Sequence, residues 1–503
     1  MWRRPVSILA TPLRRAPVSR ICVPGAQPRA ECAASLFHSS AHAAAVTAVC
    51  LSSRRGVLEL TGPDTARLLQ ALTTNDFSPK RLAVLAEDAA CGAGCAYTAF
   101  LTNKGRVLVG DAFVFVVPAP ADASATVLVD VAVELLPVLK QHLTMYKLRS
   151  KVAIRDASAD YVAWALYGPG GLSPCTGAVR SLAALCSTSG GGVPGVSVGS
   201  AALDPRCAAL GGRAVLLRRS EPWGAGHQEE GGDGEPFFPA LPVEGSSGGG
   251  GGTAVVAVRG AAALALHDRA RLAGGLPEGA EWTGQVPLEL SLERLGGVSF
   301  TKGCYMGQEL TARTHFQGMV RKRVLPVRLA PLAPPGSAEA AVEVATAAAG
   351  EAIQSWEAAL APSPPGESPG MAQLAAWAVE VGDSVVDLAT GKVVGAVVAV
   401  PAAQQLSSSS SSSSGDASGS DNGDGSSGGN DGGVWGADAP VVVTAKLRLG
   451  ALGLDGDGGG GDGGGVRGGL RLAIVRGERE IAAAHPFLPC WWPSMQTTPM
   501  PRI

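Results

Sequence analysis

Charge is scarce in this chain. Of its 503 residues, 17% are Asp, Glu, Lys or Arg, and 41 basic residues nearly balance 43 acidic ones, for a formal net charge of -2. So balanced a chain has no overall field to gather nucleic acid or an anionic membrane surface, and neither is expected as a partner. Long apolar runs are missing too. A bilayer span takes ~20 consecutive apolar residues, and the longest candidate, Val393 to Ala403, is short and interrupted by Pro401. The ten cysteines lack the regular spacing of a disulfide framework. Cys91 and Cys95 are too far apart for a C-x-x-C pair, and no second pair completes a zinc site, so no permanent metal is expected. A reducing compartment fits this usage best.

Glycine is abundant, with 68 residues. Length alone suggests about three domains at ~150 residues each, but Gly, Ser and Ala tracts inflate it. Residues 1–49 form a leader with Arg3, Arg4, Arg14, Arg15, Arg20 and Arg29 against a single acid, Glu31. Arg-rich, Ser-bearing and acid-poor composition describes an organellar transit peptide. The mitochondrial matrix is the first destination and a plastid the alternative.

A folded region is expected over 50–329, with a disordered insertion at 221–252. Gly56 to Leu60 alternates as a strand, and Asp64 is placed to cap a helix over Ala66 to Leu72. Tyr97 to Leu101 and Val107 to Val109 read as strands around a turn at Asn103, Lys104 and Gly105. Apolar residues at helical spacing follow Glu134, Tyr161 to Tyr167 reads as a strand, and 169–198 as loop. Residues 330–490 are expected to hold a small antiparallel barrel whose strands are separated by low-complexity insertions at 331–370, 402–438 and 455–466. A tail occupies 491–503.

Reactive side chains concentrate between Ser299 and Arg323, in SFTKGCYMGQELTARTHFQGMVRKR. Cys304 lies between Gly303 and Gly307, two residues after Lys302. Val298 to Phe300 reads as a strand end, the glycines as a tight turn, and Tyr305 to Arg313 as a helical segment. Unpaired amides and a neighbouring cation favour a thiolate at such a turn. The plain alternative is a buried structural cysteine. Arg321, Lys322 and Arg323 read as a solvated strand edge.

The run Lys302, Gly303, Cys304, Tyr305, Gly307, Gln308, Glu309 and Arg313 resembles the K-G-C-Y-x-G-Q-E…R motif of the folate-binding iron–sulfur cluster assembly proteins, relatives of the glycine cleavage aminomethyltransferase. L-L-Q-x-L-T-T-N-D, L-T-N-K-G-R-V-L, H-L-x-x-Y-K-L-R-S-K-V and the Asp204, Pro205, Arg206 block resemble the same family. The resemblance implies an α+β fold, a pseudo-threefold ring around a central channel with the barrel beside it. It also implies tetrahydrofolate in the channel, for which Glu289, Tyr146 and Arg149 are candidate contacts.

Cys304 is then the expected reactive residue, with Lys302 biasing it electrostatically and Gln308 and Glu309 orienting the loop. One cysteine cannot hold a cluster that normally takes four protein ligands. A transient iron–sulfur cluster shared with A-type carriers and passed to [4Fe–4S] client enzymes is therefore expected. The alternatives are a folate-dependent aminomethyltransferase and a non-catalytic folate-binding scaffold. The transferase needs an aspartate that here arrives one residue late, at Asp111, with Gly110 in the expected place. Asp111 would face away unless a β-bulge intervenes.

Overall fold

The computed structural model describes residues 46–117, 126–168, 175–187, 199–218, 238, 255–332, 378–401, 441–454 and 470–492. The chain begins with β1 (Val46–Cys50), β2 (Arg55–Thr61), α1 (Thr65–Leu72), α2 (Pro79–Asp88), β3 (Cys95–Leu101) and β4 (Val107–Val117). It continues through β5 (Thr126–Ala132), α3 (Leu136–Tyr146), β6 (Ala153–Asp156), β7 (Tyr161–Tyr167), α4 (Thr176–Ser187), β8 (Ser200–Leu203) and β9 (Gly212–Leu217). Next come β10 (Val255–Val258), α5 (Gly260–Ala273), α6 (Gln308–Gln317) and β11 (Lys322–Ala330). The last strands are β12 (Ser384–Asp387), β13 (Lys392–Ala399), β14 (Val442–Arg448), β15 (Leu472–Arg476) and β16 (Arg479–Pro486).

Two five-stranded sheets, β10-β1-β7-β9-β8 and β3-β4-β5-β2-β6, face a shared core, and a closed barrel runs β11-β14-β13-β12-β15-β16. The shared core takes Val49 and Ala165 from one sheet, Tyr97 and Phe113 from the other, and Val442 and Phe487 from the barrel end. The helices α1, α2 and α3 cover the outer face of the second sheet. The α+β fold and the antiparallel barrel are thus both present.

Four boundaries differ from expectation. Val46–Cys50, which overlaps the end of the expected leader, is a fully buried strand between β10 and β7, so these residues belong to the fold. β11, placed in the first domain by sequence, is a barrel stave paired with β14 and β16. Trp491, expected in the tail, is buried, and its indole donates to Gly274 O at 2.7 Å. The stretch read as loop at 169–198 holds α4, whose Val179 and Leu182 are buried under the first sheet. Residues 1–45, the insertions at 402–438 and 455–466, most of 331–370 and of 221–252, and 493–503 lie outside the described residues. Phe238, within 221–252, packs edge-on against Trp164.

Candidate functional site

The loop carrying Cys304 is anchored on both sides and bare at its apex. Before the cysteine, Thr74 donates its hydroxyl to Gly297 O at 2.6 Å and accepts Ser299 N at its carbonyl at 2.9 Å. Asn75 donates to Gly296 O at 2.8 Å. After it, Met306 N donates to Ala71 O at 3.0 Å, and Gln308 Oε1 accepts Tyr305 N at 3.1 Å. Val298 to Phe300 is irregular backbone rather than a strand end, and Ser299 N donates to Thr74 O, just past α1, and not to a sheet.

Gly307 has φ +75°, and a Cβ there would run into Thr102 O and lie 3.0 Å from Gly105 Cα. Only glycine lets the cysteine loop close onto the β3–β4 turn at that distance. Gly303 needs no such latitude, because nothing lies within 4 Å of where its Cβ would be. Between these anchors Cys304 is exposed, as are Glu309 and Arg313.

Lys302 serves the loop differently from expectation. Its Nζ donates to Thr73 O at 2.8 Å and Asn75 O at 2.6 Å and lies 5.0 Å from the Tyr305 ring centre. Burial pulls its ammonium down to about 8, against the opposing pull of Asp76. Lys302 is a staple between the loop and the end of α1. Beyond the loop, His315 stacks on Phe300 at 3.6 Å, and Phe316 and Met319 are 68% and 64% exposed. This apolar patch carried no sequence signal beyond two aromatic letters.

A second constellation sits in the shared core, and sequence reading named only fragments of it. Arg55, fully buried, bonds Asp130 Oδ1 from Nε at 2.7 Å, pairs with Asp111, and reaches Glu278 at 3.3 Å. Burial alone would lower this guanidinium, but Asp130, Asp111 and Glu278 outweigh it and raise it. Burial likewise pushes Glu278 up, yet His267, Arg55 and Arg271 hold it well below the usual carboxylate range. His267 Nδ1 meets Tyr167 Oη at 2.7 Å, and desolvation depresses the imidazole. The legible signal was charge inside apolar strands, as in VLVDVA around Asp130.

The bulge that Asp111 needed is present. Thr98 pairs with Ala112 and Phe100 with Val109, so Gly110 and Asp111 both face Ala99. Gly110 lies under Trp282, whose ring atoms would be 2.7 and 2.8 Å from an added Cβ. That contact explains glycine where the family pattern has aspartate. Asp111 turns inward, 2% exposed, but Arg55 and Gly279 N occupy its Oδ2. As it stands, it is a structural counter-ion.

Beside this network lies a cavity of about 250 Å³ counting space open to solvent, lined by Tyr167, Asp204, Arg206, Leu210, Arg213 and Arg271 among others. Behind its lining, Arg206 lies 5.4 Å from the Tyr97 centroid, and Arg206 and Arg213 lie 4.8 and 4.3 Å from that of Phe113. None of the three candidate tetrahydrofolate contacts lines this cavity. The candidate contacts are elsewhere: Glu289 pairs with Lys446 of the barrel at 3.3 Å, and Tyr146 and Arg149 are exposed. Arg323, read as a solvated edge, is completely buried, pairing with Glu293 at 2.7 Å and donating to Leu288 O at 2.9 Å.

Among the described residues no helix is long and apolar enough to cross a membrane, and no group of three His, Cys, Asp or Glu is placed to hold a metal ion. No family model matches the chain. A solved glycine cleavage aminomethyltransferase from Bartonella henselae aligns over 89% of this chain and 87% of its own, at 11% identity and a TM-score of 0.43. Among curated proteins, an iron–sulfur cluster assembly factor IBA57 homolog of Mycosarcoma maydis, named mitochondrial, is 31% identical over 56% of this chain and 58% of its own length. The mouse protein named mitochondrial IBA57 is 32% identical over 58% of this chain and 70% of its own length. Its human counterpart is 31% identical over 63% and 73%. With an anchored loop presenting a cysteine, an α+β core closed by a barrel, and these relatives, the chain belongs to the IBA57 family of iron–sulfur cluster assembly factors.

Proposed function

We propose that this protein acts in mitochondria in the maturation of [4Fe–4S] enzymes, with the Cys304 thiolate as a transient ligand to an iron–sulfur cluster delivered by an A-type carrier. The observation that carries the reading is the exposure of Cys304 at the apex of a loop fixed on both flanks. A fixed loop lowers the entropic cost of meeting a partner's ligands. One thiolate leaves the remaining cluster positions to that partner, which suits a cargo that must leave again. Phe316 and Met319, at and just past the end of the helix leaving the loop, offer apolar contact for a protein, since exposed apolar patches commonly mark interaction sites.

The chemistry asked of this chain is modest. The Cys304 Sγ loses its proton, donates to iron, and is protonated again when the cluster moves on to the client enzyme. Lys302, Gln308 and Gly307 hold the backbone that carries it. The reading takes no step through tetrahydrofolate, and the aminomethyltransferase alternative is disfavoured because Asp111 is held by Arg55.

The test is complementation of cells lacking the native protein with Cys304→Ala. Folding is expected to persist while aconitase-type and lipoate-synthesis activities are lost. Retained activities would remove the thiol from the mechanism. Purified protein should also fail to form methylene-tetrahydrofolate from an aminomethylated lipoyl carrier, and turnover there would restore the transferase reading.

A further inference from the structure

Arg55, Arg206, Arg213 and Arg271 bury their side chains around the shared core, and one of them lacks the partners the others have. Arg55 bonds Asp130 and Asp111, and Arg271 bonds Asp268 at 2.7 Å and Glu281 at 2.8 Å. Arg206 takes both oxygens of Asp204, at 2.9 Å from Nε and 2.7 Å from Nη2. Arg213, carried on β9 and 5% exposed, lines the cavity beside this pair. Its Nε stands 3.7 Å from Asp204 Oδ2, beyond hydrogen-bond length, and its Nη1 is buried with no hydrogen-bond partner.

Asp204 is thus one carboxylate set against two guanidiniums. Burial pushes its carboxyl up, but Arg206 and then Arg213 hold it below its ordinary value, so it is ionised and already engaged by Arg206. Both guanidiniums crowd one aromatic ring, 4.8 and 4.3 Å from the Phe113 centroid. A ring face attracts a cation without cancelling its charge, and a buried charge without its counter-ion is costly. Ala165, Leu210, Ala270 and Leu276 supply the apolar part of the same lining.

We propose that this cavity binds a short-chain aliphatic carboxylate, with its charged end on the Arg213 guanidinium and its hydrocarbon against Ala165, Leu210, Ala270 and Leu276. A guanidinium matches a carboxylate as a planar fork, and charge-assisted bonds of this kind are the strong ones. A water could accept from Nη1 but would leave the cation uncompensated. Phosphate or chloride would supply the charge but nothing for the apolar wall. The site is separate from the Cys304 loop, so its failure leaves the assembly role untouched.

The test uses the full chain, dialysed free of carboxylate buffers and titrated with sodium propionate at constant ionic strength in a calorimeter. Saturable binding at one site is expected, and the melting temperature should rise with propionate concentration by mass action. Propanol and propionamide, of similar size but uncharged, should bind about tenfold or more weakly, the value of a hydrogen bond to a charged group. Phosphate and chloride should also bind more weakly than propionate. Arg213→Gln should weaken propionate binding by about the same factor, while Arg213→Lys, which keeps the charge and loses the fork, should fall between. Circular dichroism checks that each variant is folded, and the comparison of propionate with propanol on the unaltered chain decides the role of charge even if a variant does not fold. The proposal is overturned by the absence of saturable propionate binding, by propanol binding equally well, by phosphate or chloride binding more tightly, or by a folded Arg213→Gln variant that binds propionate as the unaltered chain does.

Discussion

The loop of Cys304 and the ion network around Arg55 are built in opposite ways. In the loop, backbone groups are tied down by their neighbours and the reactive side chain is left free. In the network, side chains are tied to one another in the interior, with Asp111 Oδ1 buried and without a hydrogen-bond partner. The contrast assigns chemistry to the first and cohesion to the second. A buried charge must be matched or it destabilises the fold, and Arg55 is matched three times over.

Removing the matching charge should give the largest effect. Arg55→Met leaves Asp111 and Asp130 buried without their cation, and a loss of about 3–5 kcal/mol is expected. Chemical denaturation measures it, and a near-wild-type midpoint would break the contrast. Adding a methyl to the bulge comes next. Gly110→Ala pushes into Trp282, with about 1–3 kcal/mol expected from overpacking.

Within the loop, the two glycines sharpen the comparison. Gly307→Ala meets both a positive φ and the Thr102 carbonyl and should cost about 1–3 kcal/mol, with complementation falling alongside stability. Gly303→Ala has open space and should stay within about 0.5 kcal/mol of wild type.

Acid should separate the regions by titration. His267 and Glu278 both have depressed values in the folded state. The unfolded chain therefore binds protons that the folded chain refuses, and stability falls as pH drops. The decline should begin near the ordinary His value of ~6.5 and steepen near the ordinary Glu value of ~4.3. Denaturation midpoints across that range read it, and His267→Gln should remove the earlier part of the slope.

Much of the loop was legible, because its parts are contiguous. The glycines, Gln308 and the helix after them lie in one short stretch, and Gln308 Oε1 bonds Tyr305 N only three residues away. Lys302 was misread because its partners, Thr73 and Asn75, lie more than 220 residues earlier in the chain. Arg323 was misread beside two exposed basic residues, since its partner face, Leu288 and Glu293, is defined only when the barrel docks. Asp64 marks the start of α1 as expected, yet its carboxylate accepts Lys151 N at 2.7 Å instead of capping the helix.

The sequence by itself determined the strands and helices with clear period and the bend that carries Cys304. It also determined the family likeness, since all of these reside in local order along the chain. Tertiary structure alone decided that Asp111 is a counter-ion, that Gly110 makes room for a tryptophan and that Lys302 is a staple. Each of these depends on which distant group occupies the facing space, and excluded volume and charge pairing are settled only when the sheets close on one another.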